Sequence, residues 1–172
     1  LKCLENQKII NKYHKEQWDI IIKELGMNVC NKCGYNKIAI DFHHKNPKEK
    51  IIKFSLLKQR PVRPEYLKEL KKCIALCANC HRELHSTTIV DNYRKKYQEE
   101  WYKILKELGF NKCFRCGYMR CQDAIDLHHK NTNEKEIGIC RLKRFKFKSE
   151  YLKELNKCTP LCANCHREEH NK

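Results

Sequence analysis

The 172-residue chain is poor in aromatics, which make up 9%, and in acids, with 21 Asp+Glu against 37 Lys+Arg. It also lacks any long apolar run. Stretches such as Ile20-Ile21-Ile22 are far too short to cross a bilayer, which excludes a membrane-spanning helix. No apolar segment with a small-residue cleavage site stands near the start, so the expectation is an intracellular protein, cytoplasmic or nucleoid/nuclear, and not secreted. Leu1 further suggests a chain that begins inside a longer product. Disorder is excluded because Leu, Ile, Trp and Tyr recur at helical spacing. The length allows one ordinary domain or two very small ones. What the chain has in excess is positive charge, a net +16, and cysteine, 13 in all. Such a charge on a small body points to a polyanion, most often nucleic acid, although a merely soluble basic protein would carry it too. An odd cysteine count without a secretory leader argues for metal ligation and against a disulfide scaffold.

Internal repetition organises the rest. Residues 18–33 read WDIIIKELGMNVCNKC and residues 101–116 read WYKILKELGFNKCFRC. HHKN, EYLKEL and LCANCHRE recur likewise, and His43–His85 shares 26 of 43 positions with His128–His170 without a gap. Two extra residues between Cys116 and His128 are the one length change. The expected fold class is α+β: duplicated small zinc-stapled units, 1–88 and 89–172, each preceded by an amphipathic helix. Trp18, Ile21, Ile22 and Leu25 follow the i, i+3, i+4, i+7 rule, with Gly26 as the stop; Trp101, Ile104, Leu105, Leu108 and Gly109 repeat the pattern. A short strand ending at each histidine pair, a short helix over 65–72 and 150–157, and a helix from the second Cys-x-x-Cys onward complete the expectation. Ser149 is the expected N-cap of the second short helix, with Pro64 in its place in the first copy. Neither half has the apolar residues for an ordinary core, so another cohesive element is required.

The cysteines supply it. Cys30, Cys33, Cys77 and Cys80 form two Cys-x-x-Cys pairs, and Cys113, Cys116, Cys162 and Cys165 form the same arrangement. Four thiolates satisfy one tetrahedral Zn²⁺, which predicts two structural zinc ions in the chain. A redox reading of Cys-x-x-Cys requires one pair beside a βαβ pattern, which is not what is found. Cys3, Cys73, Cys121, Cys140 and Cys158 are left over as small buried hydrophobes or incidental thiols.

Eight of the nine histidines fall in the repeats. His14, on the polar part of the first helix, reads as a surface residue. In each copy an adjacent pair (His43-His44, His128-His129) precedes a His-x-x-x-His (His81 and His85, His166 and His170). Positions i and i+4 share one helix face, so both members can ligate one ion. Adjacent strand residues point to opposite faces, so one member of each pair joins that ion and the other is left for general-base work. His166-Arg167-Glu168-Glu169-His170 also fits a metalloprotease pattern. Leu84 replaces the required Glu in the first copy, which makes the match accidental.

This constellation resembles the HNH, or ββα-metal, endonuclease superfamily in its zinc-knuckle branch, over about residues 27–86 and 110–171. Two Cys-x-x-Cys pairs, the blocks Asp41–His44 and Asp126–His129, and Cys-Ala-Asn-Cys-His-Arg-Glu-x-His carry the resemblance. It implies that His43, His81 and His85, and likewise His128, His166 and His170, hold a catalytic divalent metal, with His44 and His129 as general bases. It also implies one metal per site, Mg²⁺ or Mn²⁺ being usual. Three imidazoles suit Mn²⁺, Ni²⁺ or Zn²⁺ better than Mg²⁺. The family's middle Asn is replaced by Lys72 and Lys157, leaving Asn46, Asn131, Asn79 and Asn164 as candidates for orienting the base. The implied activity is hydrolysis of double-stranded DNA by a monomer acting as a pseudo-dimer, one site per strand, of restriction or homing type. The rival is a non-catalytic zinc protein that binds nucleic acid.

The copies diverge between the histidine pair and the short helix. There Arg141, Lys143, Arg144, Lys146 and Lys148 alternate with Leu142, Phe145 and Phe147, which reads as a basic strand suited to a phosphate backbone. Phe145 and Phe147 are expected on one face of it. Arg60 and Arg63 are the counterparts in the first copy. With 28 Lys to 9 Arg, most of the charge serves sequence-independent attraction or a solvated surface.

Overall fold

The computed structural model describes residues 2–54, 57–86, 92–139 and 145–172, with the backbone alone for 2–4 and 92–96. The chain folds as two compact units, residues 1–77 and 78–172. This packing boundary falls right after Cys77, whereas the repeat boundary read from the sequence falls at 88. The reason is the helix Ala78–Ser86, which belongs by sequence to the first copy but bonds to residues of the second. The protein is α+β, with two-stranded sheets and α-helices that range from 6 to 23 residues among the described residues.

In the first unit, helix α1 (Lys2–Glu24) buries Trp18 and Ile22. It stops at Gly26, whose φ of 65° is the left-handed conformation that glycine adopts without a Cβ penalty. Leu25, expected on the buried stripe, lies beyond the last helical residue and is 43% exposed. Strand β1 (Ile40–His44) pairs antiparallel with β2 (Cys73–Cys77), Ile40 opposite Cys77 and His44 opposite Cys73. Helix α2 (Pro64–Leu70) lies between them in sequence, with Pro64 in the first turn, where its missing N–H costs nothing. Trp18, Ile22, Met27, Leu57, Leu70, Cys73 and Ala75 form the core. The indole N–H of Trp18 donates to the Arg60 carbonyl at 2.8 Å, so the large ring is buried without leaving a polar atom unpaired.

The second unit runs α3 (Ala78–Ser86), α4 (Asn92–Glu107), β3 (Ile125–His129), α5 (Tyr151–Asn156), β4 (Cys158–Cys162) and α6 (Ala163–Glu169). β3 and β4 pair with His129 opposite Cys158. Trp101, Leu105, Ile139, Tyr151, Leu155 and Cys158 make one small core, and Trp101 donates to the Phe145 carbonyl at 2.8 Å, as Trp18 does to Arg60. A second cluster consists of Cys113, Cys162 and Cys165 with Ile125 and Leu161, and the half-buried Tyr118 packs against it. Leu108, like Leu25, is partly exposed, at 39%.

Cys73 and Cys158, expected as small buried hydrophobes or incidental thiols, are buried and open β2 and β4, each opposite the second histidine of its block. Two expectations change. Ser149 does not cap α5: Glu150 precedes the helix without a side-chain cap bond, and Ser149 contributes its carbonyl to the Leu152 amide. Residues 145–148 are not a strand, and Phe145 and Phe147 part ways. Phe147 packs edge-on against Trp101 at 4.9 Å, while Phe145 is 57% exposed.

One divergence between the copies explains itself. In the first, the Asn31 amide donates to the Ala75 carbonyl and its side chain accepts the Ala75 amide at 3.0 Å. In the second, the Phe114 amide donates to Pro160, which has no N–H to satisfy, so no acceptor is needed at position 114.

The starts of α3 and α6 are tied by a reciprocal exchange. The Asn79 amide donates to Asn164 Oδ1 at 3.1 Å, and the Asn164 amide donates to Asn79 Oδ1 at 3.0 Å. Each asparagine thus satisfies an N-terminal helical donor that its own helix cannot. No described helix is long and apolar enough to cross a membrane.

Candidate metal centre

Among the described residues, four groups could hold a metal ion: Cys30, Cys33, Cys77 and Cys80; Cys113, Cys116, Cys162 and Cys165; His43, His81 and His85; and His128, His166 and His170. Within each, the ligand atoms lie within 4.8 Å of one another. The four cysteines and the three histidines of the second copy all lie within the second unit.

The cysteine geometry fits zinc. Cys33 and Cys77 sulfurs are 3.7 Å apart, as are those of Cys116 and Cys162. Tetrahedral ligands about 2.3 Å from one ion stand about 3.8 Å apart. Each knuckle is a tight turn: Gly34 and Gly117, both at φ 74°, turn the chain so that their amides donate to the carbonyls of Cys30 and Cys113. Burial acts against ionisation of the Cys30 and Cys113 thiols. Surrounding backbone amides, those of Cys77, Lys32 and Cys33 for the first, outweigh it and hold both at about 7. One thiolate per cluster is thus available near neutral pH to capture the ion. Burial raises Cys162 and Cys165, and a side-chain hydrogen bond from Asn79 opposes this at Cys162. The two Cys₄ groups, each near a short strand and helix of ββα-like form, are consistent with a zinc-containing protein.

The histidine trio of the second copy lies wholly in the second unit. β3 presents His128, α6 presents His166, and His170 follows one turn on at the helix's C-cap. The Nε2 atoms of His166 and His170 are 3.1 Å apart, as those of His81 and His85 on α3 are at 3.2 Å. Nitrogens about 2.1 Å from a common ion stand about 3.0–3.4 Å apart, so the donor set fits a divalent metal. Asp126 completes it. One carboxylate oxygen bonds His166 Nδ1 at 2.9 Å and the other accepts from Arg82 at 2.6 Å. His166 is thereby turned so that Nε2 faces the other two rings, the carboxylate–imidazole support that metal-binding histidines commonly have. Burial alone would raise the Asp126 carboxyl, but His166 and Arg82 hold it at about 2. Burial, with His166 and His170 nearby, lowers the His128 imidazole and favours the neutral, ligating form.

His44 and His129 stand apart from the trios, as the strand alternation requires. Both are buried, 6% and 9% exposed, yet His129 lines the same cavity of about 480 Å³ as His128, His166 and His170. Sequence reasoning missed the partner of each. His44 Nε2 meets Glu69 Oε1 at 2.8 Å, and His129 Nε2 meets Glu154 Oε1 at 2.7 Å. None of the four candidate asparagines takes this role. Asn46 and Asn131 accept from the amides of Lys48 and Asn133, capping short turns, and Asn79 and Asn164 bond each other. The available signal was EYLKEL, identical in both copies, with a Glu on the apolar stripe of a short helix.

Lys72 and Lys157 hold those glutamates: Lys72 Nζ lies 2.8 Å from Glu69 Oε2 and Lys157 Nζ lies 3.1 Å from Glu154 Oε2. Lys72, with the amides of Ile51 and Ile52 and with His44, lowers the Glu69 carboxyl to about 2 against its burial. At Glu154, burial is outweighed by the Ile137 amide, His129, Lys157 and the Glu136 amide, again giving about 2.

Of the expected DNA contacts, Arg141, Lys143 and Arg144 lie outside the described residues. Lys146 and Lys148 are in irregular backbone, Lys148 3.7 Å from Glu150. Arg60 is exposed and donates to the Tyr66 hydroxyl at 3.1 Å, and Arg63 is exposed at the start of α2. His14, half-buried, has Nδ1 3.2 Å from the Gln59 carbonyl. No known protein family, curated protein or solved structure matches the chain.

Proposed function

We propose that the protein is a divalent-metal-dependent endonuclease of HNH type acting on double-stranded DNA, with one site in each copy and one strand cut by each. The observation that carries this reading is a cavity walled by three imidazoles whose nitrogens converge and by a fourth histidine bonded to its own buried carboxylate. A merely structural metal site has no use for that fourth histidine.

In this reading His43, His81 and His85, and His128, His166 and His170, hold the catalytic ion, Mn²⁺, Ni²⁺ or Zn²⁺ fitting three nitrogens better than Mg²⁺. The ion, when bound, neutralises charge on the scissile phosphate and the leaving oxygen. His44 and His129 take the proton of the attacking water, a task that suits an imidazole near neutral pH. The net charge of +16 draws the duplex in without sequence preference. Divergence of residues 50–63 from 135–148 allows the two halves of a target to differ, as in restriction or homing enzymes.

Supercoiled plasmid tests this. The native protein with Mn²⁺ yields linear product with 5′-phosphate and 3′-hydroxyl ends. His44→Ala or His129→Ala alone gives nicked circles, and the double variant leaves the plasmid intact. Cleavage by the double variant would remove the histidines from the general-base role, and linear product from either single variant would end the one-site-per-strand scheme. A native protein that binds the plasmid but never cuts it is a non-catalytic zinc module.

A further inference from the structure

The buried glutamates have more bonds than a structural salt bridge needs. Oε1 of Glu69 accepts from the amides of Ile51 and Ile52 at 2.7 and 3.1 Å, and also meets His44. Oε1 of Glu154 accepts from Glu136 and Ile137 at 3.1 and 3.2 Å, and meets His129. Oε2 in each faces a lysine ammonium, which also donates to the Glu49 or Glu134 carbonyl. Every group around the carboxylate is therefore a donor, and an ionised carboxylate can only accept.

The consequence falls on the histidine. A neutral imidazole has one N–H and one lone pair, and its tautomer is set by the bond its other nitrogen makes. Facing an acceptor, Nε2 must carry the proton. Among the described residues Nδ1 of His44 and of His129 has no hydrogen-bond partner, and no buried side-chain nitrogen or oxygen there lacks one. With Nε2 engaged by the carboxylate, Nδ1 is the ring nitrogen left for another partner. In the second copy, the ring lines the cavity shared with the metal trio.

We infer that Glu69 and Glu154, each clamped by Lys72 or Lys157, are positioning residues that fix His44 and His129 as the Nε2–H tautomer and leave Nδ1 to take the proton from water. The inference rests on the nuclease reading for the proton's source, but not for the tautomer. The same carboxylates pin residues 51–52 and 136–137, so the wall beyond each histidine pair is held by the atoms that orient the base. Lys72 and Lys157 neutralise the buried carboxylate without competing for the imidazole, since they bond its other oxygen.

The test uses the full chain, ¹⁵N-labelled at histidine and loaded with Zn²⁺, because paramagnetic Mn²⁺ would broaden the signals. Long-range ¹H–¹⁵N correlation reads the tautomer of each ring at neutral pH. His44 and His129 are expected as Nε2–H; Nδ1–H in either would overturn the inference, with no variant required. Glu154→Gln offers both a donor and an acceptor, and is expected to give His129 a mixed tautomer while His44 is unchanged. In plasmid cleavage, the Glu69→Gln/Glu154→Gln double variant is expected to lose about 10²-fold or more in kcat with KM within about twofold, the typical worth of a positioned general base. A double variant of native kcat would refute the positioning role. A native chain that shows Nε2–H tautomers yet never cleaves would sink the nuclease reading and leave the glutamates' hold on the imidazoles intact.

Discussion

Removing zinc should unfold the knuckle of the second copy while the core around Trp101 remains. Beside the cysteines, the buried apolar cluster at that knuckle contains Ile125 and Leu161, with the half-buried Tyr118 packed against it. At about 1.5–3 kcal/mol for each fully buried side chain and about half that for Tyr118, their burial contributes about 4–8 kcal/mol. Ordering the backbone of residues 111–118 costs about 8–16 kcal/mol at about 1–2 kcal/mol per residue. Without the ion the knuckle is short by about 4–8 kcal/mol, and a structural zinc worth about 10–16 kcal/mol reverses the balance. Trp101, Leu105 and Leu155 belong to a separate cluster and do not depend on the cysteines in this way. Titration of the purified chain with a thiol-reactive mercurial and a metallochromic dye should release two zinc ions, one for each set of four thiolates. After chelation, hydrogen exchange should show lost protection at the Cys113 and Gly117 amides, which now donate to Tyr118 and Cys113. The amides of α4 around Trp101 should stay protected. A chelated chain with an unchanged melting temperature and a protected knuckle would refute the reasoning, as would a chain that carries no zinc.

Asp126→Asn removes the charge that turns His166 and should weaken one of two Mn²⁺ sites about 10–100-fold by calorimetry, with Arg82→Ala acting in the same direction but less; equal weakening of both sites would contradict the pairing at 2.9 Å. Asn79→Ala strands the Asn164 amide and should cost about 1–3 kcal/mol in thermal melts. Because Asn79 and Asn164 touch and exchange both bonds, the double variant should depart from additivity by about 0.5–3 kcal/mol, and strictly additive losses would speak against a reciprocal pair. Glu69 and Glu154 are held at about 2 when folded, against an ordinary 4.5. A depressed carboxyl stabilises above its unfolded pKa, and that stability is lost as pH falls through the folded value. The melting advantage of the native chain over the Glu69→Gln/Glu154→Gln variant should therefore be full above pH 5 and shrink toward pH 2. An advantage that grows on acidification would reverse the assignment, and protonation of the zinc thiolates, common to both chains, cancels from the comparison.

The ligand sets were legible because both are local rules applied twice. Cys-x-x-Cys fixes a turn and His-x-x-x-His fixes a helix face, so the residues that reach one ion can be read from spacing. Strand alternation likewise separated His43 from His44. What the sequence could not show were pairings made across the fold. Glu69 and His44 are brought together only when α2 lies beside β1, and nothing in their separation marks them as partners. Cys73–Cys77 is too short and too mixed to announce a strand; its register exists only against β1. The unit boundary was displaced for a similar reason, since Arg82 and Glu83 find their partners, Asp126 and Arg120, in the other copy. Ser149 is a good cap by propensity, but α5 begins with its carbonyl and leaves its hydroxyl aside.

The reciprocal bonds of Asn79 and Asn164 also bear on dilution. A residue that satisfies its own counterpart is how two identical subunits bond at a twofold axis, and such a contact dissolves when the subunits are too scarce to meet. Here both partners lie on one polypeptide, so the encounter is unimolecular and its strength does not depend on how many copies a solution holds. Two helices that a homodimer would keep together only above its dissociation constant stay paired in this chain at any concentration.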